Sequence, residues 1–132
     1  MTITPLNSHA ASNTLLPACK SSPNCVSSQA EDAEHLVAPF KLVVNPEIAW
    51  EKLRLSLLAE GMLIVHDSNQ SLHAEATSKI FRFVDDIHAI LDTQAKLIHI
   101  YSASRVGYSD FGVNRKRVET IRQQLQQAGV IE

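Results

Sequence analysis

A chain of 132 residues with 45% apolar and 20% charged content is sized and composed for a globular domain that buries its own core without help from metal or disulfides. Its formal net charge of −2 rules out a global electrostatic attraction to nucleic acid or anionic membrane. No window approaches the run of about 18 apolar residues that a transmembrane helix needs.

The start, Met1-Thr2-Ile3-Thr4-Pro5-Leu6-Asn7-Ser8-His9, lacks the basic beginning and continuous apolar stretch of a signal peptide, so the expected location is the cytoplasm. Residues 1–14 carry no periodicity and read as a disordered tail, which leaves 15–132 as a single α+β domain. From Leu15 to Pro39, prolines 17, 23 and 39 lie among serines, the pattern of an extended strap. Within it, Ser28-Gln29-Ala30-Glu31 has the form of a capping box that would open a short helical turn. Phe40 to Val44 reads as a short strand.

The clearest helix start follows. Asn45 suits the N-cap, Pro46 the first helical position, and Glu47 the positive end of the dipole. Trp50, Leu53 and Leu57 form the apolar face, and Gly61 ends the helix. Met62 to Val65, Leu72 to Thr77, Ile80 to Val84, Ile87 to Leu91 and Leu97 to Tyr101 then read as strands joined by short turns. Connections this short force antiparallel pairing. The expected architecture is α+β: an antiparallel meander of four or five strands packed against a helix near each end, with an extended N-terminal strap.

Beyond Tyr101 the apolar pattern gives way to dense polarity, with Gly107 and Gly112 bracketing Tyr108-Ser109-Asp110-Phe111 as a shaped loop. Val118, Ile121, Leu125 and Ala128 recur at helical spacing, and Gly129 sits where that helix must end. Arg115, Lys116 and Arg117 fall in its first turn, where the dipole disfavours cations by about 0.3–1 kcal/mol each. Asp110 or Asn114 would cap this turn, and Arg115 would pair with Glu119. The remaining imbalance calls for an acidic partner inside the fold, such as Asp85 or Asp86, or for an external anion.

Three motifs occur in order: Cys19-Lys20-Ser21-Ser22-Pro23-Asn24-Cys25-Val26-Ser27-Ser28, then Phe83-Val84-Asp85-Asp86, then Ser102-Ala103-Ser104-Arg105-Val106-Gly107-Tyr108-Ser109-Asp110-Phe111-Gly112-Val113-Asn114-Arg115. Together they resemble the family catalogued as domain of unknown function fourteen-ninety-nine, over roughly Leu16 to Leu125. The resemblance implies no assigned reaction. Members occur in bacteria and photosynthetic lineages, and many relatives carry an N-terminal export or membrane segment. A periplasmic or membrane-associated location is therefore the alternative to the cytoplasm.

The residues themselves open several chemistries. Cys19 and Cys25 are too few and too widely spaced for a zinc signature. A local disulfide fits an oxidising compartment, whereas the missing export signal argues for reduced thiols, with Cys25 as a nucleophile the remaining reading. Asp85 and Asp86 interrupt an apolar run: on an extended chain they would point to opposite faces, or they would form a turn or bulge whose carboxylates bind backbone amides or the arginines, with a catalytic acid or base the remaining reading. Ser102, Ser104, Ser109 and Asp110 around Arg105 would form either a hydrogen-bonded structural network or a cradle for an oxyanion or phosphate. The six histidines show no metal-type pair at helical spacing, although His73 and His88 would share one sheet face.

The expectation is a non-catalytic binding module for an anionic small molecule or a protein partner. Its candidate site comprises Asn24, Cys25, Asp86, Ser102, Ser104, Arg105, Ser109, Asp110, Asn114 and Arg115, with no metal and no cofactor. The alternative is a thiol- or serine-dependent enzyme. Nucleic-acid binding is disfavoured by the acidic balance and by the lack of aromatic residues among the cations of the last helix.

Overall fold

The computed structural model describes residues 15–132, so the tail expected over residues 1–14 lies outside the described residues. The strap supplies one short strand, β1 (Cys25–Ser27), and the strand expected over Phe40 to Val44 is shortened to β2 (Phe40–Lys41). Helix α1 (Pro46–Ala59) leads into the meander of β3 (Leu63–Asp67), β4 (Ser71–Thr77), β5 (Val84–Asp92) and β6 (Leu97–Ser104), and helix α2 (Val113–Gln127) follows. The sheet runs in the order β1-β6-β5-β4-β3 with β2 also on β6, and all five ladders are antiparallel. The α+β expectation holds, with β1 from the strap and β2 just after it added to a four-stranded meander.

Local chemistry explains α1. The Asn45 side chain accepts from the Glu47 amide at 2.8 Å and Pro46 begins the helix, while Gly61 adopts φ +81° just beyond its end, a conformation that costs glycine little. Alternation then sorts the strands. Ile87, Ala89 and Leu91 of β5 and Ile98 and Ile100 of β6 join Phe40, Leu53, Leu57, Val118, Ile121 and Leu125 in one buried cluster, so both helices cover the same side of the sheet. The strap is pinned to α2, where the Arg122 guanidinium donates to the Ala38 carbonyl at 2.7 Å and lies 4.8 Å over the Phe40 ring.

Several local expectations need correction. Ser28 to Glu31 makes only a turn and a bend, without a helical turn. Ile80 to Phe83 is not a strand. In that turn the Ser78 amide donates to the Phe83 carbonyl at 2.9 Å and Arg82 takes φ +59°, while β5 runs unbroken through both aspartates. An apolar run reads alike whether it is buried or displayed, which is why the pattern misled. Strand β6 continues past Tyr101 to Ser104 because its outermost polar side chains are satisfied beneath α2. The Asp85↔Ser104 pairing and the bond from the Arg105 amide to the Val84 carbonyl (3.2 Å) bring the 78–83 turn and the 105–112 loop to the same end of the sheet. Among the described residues, no helix is long and apolar enough to cross a membrane.

Candidate functional site

Asn114, in the first turn of α2, is fully buried at 0% exposure, and a buried amide of that kind must be satisfied on both ends. Its oxygen accepts from the Ser102 hydroxyl at 2.6 Å and from Arg117 at 2.8 Å. Its nitrogen donates to Ser104 Oγ at 2.9 Å, to Asp110 Oδ2 at 2.7 Å and to the Asn24 carbonyl at 3.3 Å. Arg117 in turn reaches Asp85 at 2.9 Å and Ser102 Oγ at 3.1 Å. The polar run after Tyr101 therefore forms a joint among β1, β6, the loop and α2. Cooperative strengthening of such a network explains why polar side chains are concentrated there.

Capping of α2 is indirect. Gly112 occupies the N-cap position at φ +80° and offers no side chain, while Asp110 accepts from the Gly112 and Asn114 amides at 2.8 and 3.1 Å. Burial works against the charge on Asp110, and the bonds from the Asn114 side chain and the backbone amides outweigh it, so its pKa falls below the ordinary carboxyl range. The expected Arg115–Glu119 pair is replaced: Arg115 donates to the Leu36 and Glu34 carbonyls at 3.0 and 2.8 Å, and Glu119 pairs with Arg122. Asp85 is the internal acid that the basic turn called for.

On the opposite face, Asp86 accepts from Arg105 Nε at 2.7 Å and from its Nη2 at 2.8 Å, while that same nitrogen reaches Glu75 at 2.7 Å. His73 Nε2 closes on Asp86 at 2.7 Å. Hydrogen bonds from Arg105 and then from His73 hold the Asp86 pKa down to about 2 against the opposing effect of burial. His73 stacks on His88 with centroids 4.2 Å apart, and Tyr101 meets His88 edge-on at 5.4 Å. Burial, and then the neighbouring His73, lower the His88 pKa. A groove of about 310 Å³ separates this face from Leu15, Leu16 and Pro17 of the strap.

Cys19 and Cys25 are joined in a disulfide. The expectation of reduced thiols is corrected accordingly, and the bonded Cys25 has no thiolate for nucleophilic attack. The bridge anchors the strap beside Asn24, whose side chain donates to the Gly107 carbonyl at 2.7 Å and whose own carbonyl accepts from the Ser104 amide. Nearby, His35 is held between Asp32 (2.6 Å) and the Ser22 carbonyl (2.9 Å). The bond to Ser22 and then the bond to Asp32 raise its pKa.

The family described as Protein of unknown function (DUF1499) matches residues 15–125. This chain belongs to the DUF1499 family. No curated protein matches it.

Within this DUF1499 domain the structure gathers most of the sequence-predicted residues, though on two sides of the sheet. Asn24, Ser102, Ser104, Asp110 and Asn114 share the network under α2. Asp86 and Arg105 lie on the open face, Arg115 ties down the strap, and Ser109 stays in the exposed loop, where its hydroxyl accepts from the Phe111 amide at 3.3 Å. Sequence reasoning missed Glu75 and His73 as partners of this group, because their relation to Asp86 exists only through the Glu75↔Asp86 and His73↔His88 registers. His73, Glu75 and Asp86 bring ligand-type atoms within 4.8 Å of one another, and the Arg105 guanidinium already supplies the cation there. No serine among Ser102, Ser104 and Ser109 donates to a histidine or carboxylate base. Ser102 instead donates to an amide oxygen.

Proposed function

We propose that this domain is a non-catalytic docking module, with the Arg105 to Arg117 segment as a braced contact surface for a macromolecular partner. The observation that carries this reading is the end of the sheet. There Val106, Tyr108 and Phe111 stand exposed on one loop beside Ile80, Phe81 and Phe83 on the next, over a polar network that is already satisfied. Clustered exposed apolar side chains of this kind mark interaction surfaces. The anion-binding reading is weaker, since Arg105, Arg115 and Arg117 each already hold a carboxylate or carbonyl of the fold. The candidate serines Ser102, Ser104 and Ser109 hold no histidine or carboxylate base among the described residues, and the bonded Cys25 offers no free thiol. The disulfide supports an oxidising compartment, where such bonds persist, in preference to the cytoplasm.

A covering test decides the matter. Single cysteines at exposed Val106 (Val106→Cys) and at exposed Glu51 on α1 (Glu51→Cys) are labelled with a maleimide in intact source cells and in purified protein. The expected result is protection at position 106 in cells and equal labelling at position 51. Equal labelling at both positions would refute a docked surface.

A further inference from the structure

Building on that docking reading, we infer that the surface contacted by the 78–83 turn and the 105–112 loop is an anionic lipid bilayer. Loop tips ordinarily carry glycine, asparagine or serine. This end instead displays Ile80, Phe81, Phe83, Tyr108 and Phe111, with Ile80 83% and Phe111 95% exposed. The Phe81 and Phe83 rings stack at 5.5 Å, so they lean on each other while remaining outside the core. Phe111 adopts φ +54°, a conformation unusual for a bulky residue. Strain retained for a side chain that packs on nothing in the fold points to a use outside it.

Two exposed cations at this end, Lys79 and Arg82, are complementary to anionic headgroups. Its carboxylates are engaged: Glu75 and Asp86 by Arg105, Asp85 by Arg117, and Asp110 by the amides it caps. Lys79 and Arg82, in the same turn as the phenylalanines, are exposed and form no ion pair among the described residues. Aromatic rings favour the headgroup level of a bilayer, and adjacent cations are drawn to anionic lipid. A bilayer accepts side chains projecting from two separate tips, whereas a protein partner would need a surface shaped to both. The overall charge of −2 does not oppose this local attraction, because screening confines each field to about 10 Å.

The test is co-sedimentation of the full chain with vesicles of phosphatidylcholine alone or mixed with phosphatidylglycerol. Binding is expected only to the anionic vesicles, weakening as salt is raised. It should fall at least about tenfold in the Phe81→Ser/Phe111→Ser variant and in the Lys79→Glu/Arg82→Glu variant, with melting temperatures matching the parent. Two variants keep the test informative if one of them fails to fold. Wild-type protein left in the supernatant, or folded variants that bind as well as the parent, would overturn the bilayer inference. If position 106 is nevertheless protected in cells, docking stands and the occupant is a protein. If protection is absent as well, both proposals fall.

Discussion

Asp85 and Asp86 are neighbours in sequence and lead different lives. Asp85 points under α2 and meets Arg117, with their side chains 13% and 16% exposed, inside a network whose other members are Ser102 and Asn114. Asp86 points to the open face and meets Arg105, whose side chain is 45% exposed, together with His73. Similar ion-pair chemistry thus serves two purposes. Where water is largely excluded, the pair and its amide neighbours join a helix to a sheet, and losing one member leaves buried groups unsatisfied. Where water competes, the pair chiefly orients side chains and contributes little to stability.

The comparison is most strongly challenged at Asn114. Replacing it by leucine (Asn114→Leu) removes one hydrogen-bond partner from each of Ser102, Ser104, Arg117 and Asp110, and chemical denaturation should show a loss of about 3–4 kcal/mol. A loss below about 1 kcal/mol would mean that the network does not hold α2 on the sheet. Next in size is the contrast between the two arginines. Arg117→Met should cost about 2–3 kcal/mol and Arg105→Met no more than about 1 kcal/mol, and equal losses would erase the difference between the faces.

The smallest effect is acid sensitivity. Because the folded pKa of Asp86 lies at about 2, below its ordinary 3.8, its contribution is complete above 3.8 and is lost as pH falls through about 2. Arg105 is the main cause of that depression, so melting temperatures followed across this acid window should fall less steeply in Arg105→Met than in the parent. An unchanged slope would show that Asp86 owes its charge to another neighbour.

Much of the architecture was legible in the residues. Helix α1 announced itself through Asn45, Pro46 and Gly61, α2 through the spacing of Val118, Ile121 and Leu125, and the antiparallel order through turns too short for any crossover. The opposed aspartates followed from the period of two along a strand. These are local properties, set by dihedral preferences and by the burial of one face, and a single chain segment suffices to express them. The grouping of Glu75 and His73 with Asp86, the Cys19–Cys25 bond, the diversion of Arg115 to the strap, and the display of Ile80 and Phe81 in a turn were decided only in three dimensions. Each depends on register or on the approach of segments far apart in sequence. An apolar or charged residue carries no local mark of whether its partner will be the core, another side chain or the surroundings.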